Sequence, residues 1–388
     1  MSFDFDRLIP REGSHSLKWD GRRSVFGRTE LIPLWVADMD FAAPEAVTRA
    51  LVERAAHPVY GYTLHPDGMF EALADWMRLR HGWTIERDWV LWVPGVVPSL
   101  NAAVLSFSQP GEAVIVQPPV YPPFFSAVTV TGRRLLENPL QAVNGRYEMD
   151  LAHLQRCAEE GARLLLLCSP HNPVGRVWTP DELRAVLDIA RRYRLTVLSD
   201  EIHHDLVYPG MRHTPLAALA DDPLDIVTAV APSKTFNIPG LGLAALIVPD
   251  PARRAALARS FGQLHISANN PFSVVAFEAA YRHGGPWLDA LLAYLAETRA
   301  YVLDFVARHL PGIRAIPPEG TYLMWLDCRG LNLDDAALKA FFVHEAKVGL
   351  SPGTSFGTGG SGHMRLNLGA PRPLIAEALA RIATALRQ

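Results

Sequence analysis

The chain has 388 residues, about half of them apolar, with 37 basic and 40 acidic side chains and a formal net charge of -3. At ~150 residues per domain this is enough for two or three domains, and the interspersed charge offers no basic patch that would hold nucleic acid. Three widely spaced cysteines, Cys157, Cys168 and Cys328, suggest neither a disulfide framework nor a zinc ligand set, which fits a reducing, cytoplasmic compartment. Residues 1–11 mix charged and apolar side chains, unlike the apolar core of a signal peptide. The densest apolar runs, such as residues 244–248, fall well short of the ~20 residues a membrane helix requires, so no membrane partner is expected.

In chain order, the first stretch is proline-rich with little periodicity until Pro44, which reads as an arm wrapping another part of the molecule. Residues 89–93 and 113–117 read as strands separated by a helix that begins near Pro98. Residues 164–168, 196–200, 226–231 and 244–248 are further buried strands, and amphipathic stretches alternate with them. That is the pattern of an α/β domain with a mostly parallel sheet. Thr179-Pro-Asp-Glu182 supplies an N-cap, a first-turn proline and a glutamate placed to close a capping box, predicting a helix to about Tyr193. After Gly284-Gly285-Pro286 the character changes. A long helix over 287–310, strand-like runs at 321–326 and 363–368, and helices around 334–346 and 373–386 suggest a second, smaller α/β domain. The expected division is an arm with part of the small domain (1–45), a large domain (46–285) and a small C-terminal domain (286–388).

Open α/β sheets bind ligands beyond the C-terminal ends of their strands. Three strands close on polar segments: Ser169-Pro-His-Asn-Pro-Val-Gly175, Asp200-Glu-Ile-His-His-Asp205 and Pro232-Ser-Lys-Thr-Phe-Asn237. Asn172, Asp200 and Lys234 are therefore expected to converge on one crevice. A lysine and a carboxylate meeting there suit pyridoxal 5'-phosphate (PLP): the lysine forms an imine and the acid keeps the pyridinium nitrogen protonated, making the ring an electron sink. Once displaced by a substrate amine, Lys234 is left as a buried base beside the α-proton.

The ordered set resembles fold-type I PLP enzymes of the aspartate aminotransferase superfamily over nearly the whole chain, which implies a large domain with a mostly parallel seven-stranded sheet. Within it, Lys18-Trp19-Asp20, Leu34-Trp-Val-Ala-Asp-Met-Asp-Phe41, Asp200-Glu-Ile-His203 and Ala231-Pro-Ser-Lys-Thr-Phe-Asn237 resemble the MalY/PatB carbon–sulfur β-lyases, often called cystathionine β-lyases. The resemblance implies that Lys234, Asp200 and Tyr121 are catalytic, with Tyr121 stacked on the ring. It assigns Asn172 and His203 to the cofactor's phenolic oxygen, and Ser233 with the backbone amides of Val96 and Val97 to the phosphate. Arg365 would hold the α-carboxylate of an amino-acid substrate. Tyr62 would reach the phosphate and substrate of a neighbouring subunit, which implies a homodimer with shared sites. Members of the subfamily can also restrain a transcription activator, but no segment here identifies such a surface. Two positions that carry a phosphate-binding serine and arginine in many aminotransferases are Ala231 and Gly242 here, as is usual in the lyase subfamily.

Single residues carry blander readings. A lysine after a strand is ordinarily solvated, Asp200 alone could cap a turn and Asn172 could serve the turn before Pro173, Arg365 could form a surface ion pair, and Tyr62 and Tyr121 could be core aromatics. His203-His204-Asp205 superficially suggests a metal site, yet adjacent histidines point apart and no further spacing supports them, so no metal is expected. Gly357-Thr-Gly359-Gly-Ser-Gly362 matches a dinucleotide fingerprint but precedes a strand, and Gly240-Leu-Gly242 enters one; both are read as decoys. Trp35, Tyr60, Asn269 and Asn270 are further pocket candidates without assigned roles. The expected reaction is β-elimination from a cysteine thioether, with transamination of an L-amino acid against a 2-oxo acid as the alternative use of the same residues.

Overall fold

Short, largely apolar runs of four or five residues without helical spacing become strands, most of them buried on both faces. In the computed structural model, which describes residues 3–222 and 225–388, these are β1 (Val90–Val93), β2 (Ala113–Val116), β4 (Leu164–Cys168), β5 (Thr196–Asp200), β6 (Ile226–Val230) and β7 (Ala244–Ile247). With β3 (Arg134–Glu137) they form a seven-stranded sheet of order β1-β7-β6-β5-β4-β2-β3. Only β7 runs against its neighbours. Strand β3 escapes a reading by hydrophobicity because it lies at the edge and none of its residues is fully buried. Because β7 is reversed, the residues entering it, Gly242 and Leu243, share a rim with the C-terminal ends of the parallel strands.

The helices follow their predicted signals closely. Pro180–Tyr193 opens on the capping box, with Thr179 Oγ1 accepting from the Glu182 amide at 3.2 Å and Glu182 Oε2 accepting from the Thr179 amide at 2.8 Å. Its apolar stripe, Leu183, Val186, Ile189 and Ala190, faces the core. Gly285–His309 buries Leu288, Leu291, Leu295, Val302 and Val306 in the same way. The helix after β1 spans Val96–Phe107 and so begins two residues before Pro98. The predicted helix around 334–346 is α-helical over Asp335–Ala340 and continues as one wide turn, Phe341–Glu345.

Beyond residue 310 the chain forms a second, antiparallel sheet from β8 (Arg314–Ile316), β9 (Leu323–Asp327), β10 (Ser351–Pro352) and β11 (His363–Asn367), in the order β8-β9-β11-β10. The N-terminal stretch is more ordered than an arm. It carries two short helices, Leu17–Asp20 and Arg22–Phe26, and residues Ile32–Pro33 pair in parallel with Val348–Gly349. A buried ion cluster holds it. Lys18 Nζ lies 2.5 Å from Asp40 Oδ2, Arg11 bonds both Asp38 (2.7 Å) and Asp40 (2.6 Å), and Trp19 Nε1 donates to Asp40 at 2.9 Å. The three cysteines are buried and unpaired. No helix among the described residues is long and apolar enough to cross a membrane.

Candidate active site

Strand register brings the chemistry together. Cys168 on β4 stands opposite Asp200 on β5, and Asp200 opposite Ala229 on β6, so the segments leaving these strands meet at one end of the sheet. There they enclose a cavity of about 270 Å³. Eight of the residues singled out from sequence line it: Val96, Val97, Tyr121, Asn172, Asp200, His203, Ser233 and Lys234. Ala231 and Gly242 line it too. A Cβ built on Gly242 would sit 3.0 Å from the Pro94 carbonyl oxygen, so the backbone approach there leaves little room for a larger residue.

Burial sets the acidities. Loss of water pushes Asp200 up to about 7, against weaker opposition from the Ile202 amide and Lys234. The same desolvation, helped by the Arg365 charge, brings Lys234 down to about 8. Lys234 Nζ donates to the Ala37 carbonyl at 2.6 Å, and the Tyr322 hydroxyl donates to the same oxygen at 2.9 Å. Desolvation and the neighbouring Lys234 hold His203 neutral, and its buried Nδ1 has no partner. His204 turns the other way, toward His81 and Asp205, as expected of adjacent histidines. The ligand atoms of His81, His204 and Asp205 lie within 4.8 Å of one another.

Arg365, on β11, is not on the cavity wall but bonds to a residue that is: Nη1 donates to Asn172 Oδ1 at 3.0 Å. Nη2 donates to the Trp35 carbonyl at 2.7 Å and to Ser351 Oγ at 3.3 Å. Buried Nε has no partner, and no carboxylate pairs with this guanidinium among the described residues. A buried cation held only by neutral acceptors, lowered by desolvation to about 10, is prepared for an anion from outside. Tyr62 lies outside the cavity and is fully exposed, in an apolar stretch that also exposes Val59, Tyr60 and Leu64.

The unassigned pocket candidates resolve into structural parts. Asn270 caps the helix Pro271–His283, Tyr60 donates to the Ala55 carbonyl, Asn269 accepts from Ser267, and Trp35 contributes its carbonyl to Arg365. The loop at 357–362 makes tight turns before β11: a Cβ on Gly357 would meet the Phe125 ring at 2.4 Å. Sequence reading missed Ala37 and Tyr322. Ala37 acts through a carbonyl, which every residue has, and Tyr322 lies in an apolar run with the appearance of core.

The residues present fit a phosphorylated pyridine aldehyde. No side chain caps the helix Val96–Phe107, which leaves its first amides free for an anion at the cavity wall. Asn172 Oδ1 is taken by Arg365, leaving its NH₂ as a donor, and a carboxyl and an amine of perturbed acidity share the remaining wall.

An open α/β sheet whose strand ends bring a buried lysine and a buried acid into one cavity, with a buried arginine that has no counter-ion reaching it from the second sheet, is the architecture of an amino-acid-handling enzyme. The chain belongs to the family of class I and II aminotransferases, whose sequence model matches residues 29–382. It is 43% identical over 385 residues to cystathionine beta-lyase PatB of Bacillus subtilis, covering 99% of this chain and 100% of that one. Among solved structures it is similar to cystalysin of Treponema denticola, which contains a pyridoxal 5'-phosphate cofactor (TM-score 0.97, 38% identity, 100% of this chain and 99% of that one). It is also similar to the PLP-bound C-S lyase of Staphylococcus hominis (TM-score 0.93, 32% identity, 99% of each chain).

Proposed function

We propose that this chain is a PLP-dependent carbon–sulfur β-lyase that converts L-cystathionine or a related cysteine S-conjugate to pyruvate, ammonia and a thiol. One observation carries the reading: Lys234 and Asp200, with acidities brought toward neutrality by burial, share a cavity with Asn172, behind which Arg365 waits without a counter-ion. The relatives named for this activity support it.

When bound, the cofactor supplies an electron sink for the carbanion formed at the substrate's α-carbon. Asp200 would keep the cofactor's ring nitrogen charged, and Asn172 and His203 would serve its phenolic oxygen. The amides of Val96 and Val97, with the Ser233 hydroxyl, would hold its phosphate. Tyr121 would pack against its ring. Arg365 receives the α-carboxylate through a guanidinium fork, which fixes the α-C–H bond toward Lys234. Lys234, freed as an amine near neutrality, takes the α-proton as general base. The electron pair left on the α-carbon then expels the β-thiolate, and the unsaturated amine that leaves the site takes up water to give pyruvate and ammonia.

The molecule works as a homodimer in which Tyr62 of the partner subunit completes each phosphate site, a reading supported by the bare Tyr62 and the apolar stretch around it. Residues 46–285 act as the cofactor domain and 286–388, with part of 1–45, as the substrate-carboxylate domain, in keeping with the pairing of Ile32–Pro33 with Val348–Gly349.

The test is product analysis. Purified holoenzyme given cystathionine should release pyruvate and ammonia in equal amounts, and Lys234→Ala should lose at least about 10²-fold in rate. Absence of pyruvate, together with stoichiometric amino transfer from a substrate without a β leaving group to a 2-oxo acid, would replace the lyase with an aminotransferase.

A further inference from the structure

Beside the cavity lies a second buried polar layer that the proposed reaction does not use. At its centre, Asp205 Oδ1 accepts from Trp76 Nε1 at 2.9 Å and from His81 Nε2 at 2.8 Å, while Oδ2 accepts from Thr235 Oγ1 at 2.8 Å. His204 Nε2 stands 3.2 Å from Oδ2, and its Nδ1 lies 2.6 Å from the Glu201 carbonyl, to which it donates. Glu201 is held in turn by Ser199 Oγ (2.8 Å), the Leu216 amide (2.9 Å) and His213 Nε2 (2.9 Å). Two carboxylates and three histidines are thus sealed within the fold, all of them buried. Burial alone would raise Asp205, but the neighbouring His204 and the hydrogen bonds of His81 and Thr235 outweigh it and keep the carboxylate ionised. Buried charge is costly, and this layer joins elements that otherwise pack through apolar contact.

Its placement gives it a use. Thr235 directly follows Lys234 on a helix of only four residues, Pro232–Thr235. One turn cannot hold its own orientation. Its outward polar ties are Lys234 Nζ to the Ala37 carbonyl and Thr235 Oγ1 to Asp205. The first tie must be given up whenever Lys234 bonds the cofactor. The second can persist through the whole cycle.

We propose that Asp205 is a positioning residue for Lys234: through the Thr235 hydroxyl it fixes the turn that carries the lysine, so that Nζ returns to the same place each time it releases and regains the cofactor. This rests on Lys234 being the cofactor lysine. The charges that face Nζ are Arg365, Asp38 and Asp200, so displacing the turn alters its distance from all three.

The experiment compares holoenzyme carrying Thr235→Val, of nearly equal volume but without the hydroxyl, with Thr235→Ser, which restores it. The first readout is the pH midpoint at which the visible absorption of the bound cofactor changes; it needs no substrate, so it remains readable even if cystathionine proves not to be turned over. The second is the split between kcat and KM for pyruvate release. Thr235→Val should move the midpoint by at least half a pH unit and lower kcat about tenfold with KM within twofold, and Thr235→Ser should bring both back to within twofold of wild type. If the valine protein does not fold, Thr235→Ala is read in the same way. An unchanged midpoint with kcat within twofold, even with a lowered melting temperature, overturns the proposal, and so does a serine variant that fails to restore what valine removes.

Discussion

Replacing Arg365 by lysine keeps a positive charge and removes the planar fork. The guanidinium spans Asn172 Oδ1 at 3.0 Å, the Trp35 carbonyl at 2.7 Å and Ser351 Oγ at 3.3 Å while leaving Nε free. An ammonium has three donors on one point and cannot satisfy those acceptors and a carboxylate together. A hydrogen bond to a charged group contributes about 1.5–3 kcal/mol. Losing one of the two bonds to the substrate carboxylate, at about 1.4 kcal/mol per tenfold, predicts a roughly 10- to 100-fold fall in kcat/KM for Arg365→Lys. Arg365→Leu loses both bonds, about 3–6 kcal/mol, or roughly 10²- to 10⁴-fold. The assay is steady-state pyruvate release from cystathionine, with cofactor absorption confirming that each variant is loaded. A fully loaded Arg365→Leu enzyme with kcat/KM within threefold of wild type would refute the carboxylate role.

In the cofactor-free protein, Asp200 keeps its proton between about pH 4 and 7 while the unfolded chain has lost it, so its contribution to stability falls as pH rises through that window. Lys234 acts at the other end: between about pH 8 and 10.5 the unfolded chain is protonated and the folded one is not, so its contribution rises with pH. Asp200→Asn should flatten only the lower limb in urea denaturation across pH, and an unaltered slope there would contradict the burial argument. Thr179→Ala removes the acceptor for the Glu182 amide and should cost about 1 kcal/mol by urea midpoint, with kcat unchanged. Lys18→Met breaks a fully buried ion pair, a change that costs about 3–5 kcal/mol; the low end is expected because Arg11 and Trp19 still bond Asp40, and equilibrium unfolding measures it.

How legible each part was in the sequence depended on how local its signal is. The Leu164–Cys168 and Thr196–Asp200 strands are uninterrupted buried runs, and the helix after Thr179 announces itself through three neighbouring residues. Asn172, Asp200 and Lys234 converge because each lies at the C-terminal end of such a strand or within four residues of it, so reading the strands nearly reads the site. Edge strand Arg134–Glu137 is half-solvated and gives no pattern. The helix Leu17–Asp20 is too short for periodicity and depends on ion pairs with residues some twenty positions away. His81 and His213 reach the Glu201–Asp205 segment only through the tertiary fold, and nothing near them in sequence marks them as partners of Asp205 and Glu201.

The segment 35–37 meets the two cationic groups of the site through main-chain oxygen: the Trp35 carbonyl on Arg365 and the Ala37 carbonyl on Lys234. Substitution cannot delete an atom that all amino acids share, so at these two positions a mutational survey would register little beyond side-chain fit. The sensitivity should surface elsewhere, at Lys18, Asp38 and Asp40, whose ion pairs set the path of that backbone. A gene-wide map of tolerated changes would then place part of the catalytic requirement in the first forty residues, at side chains with no direct hand in the chemistry.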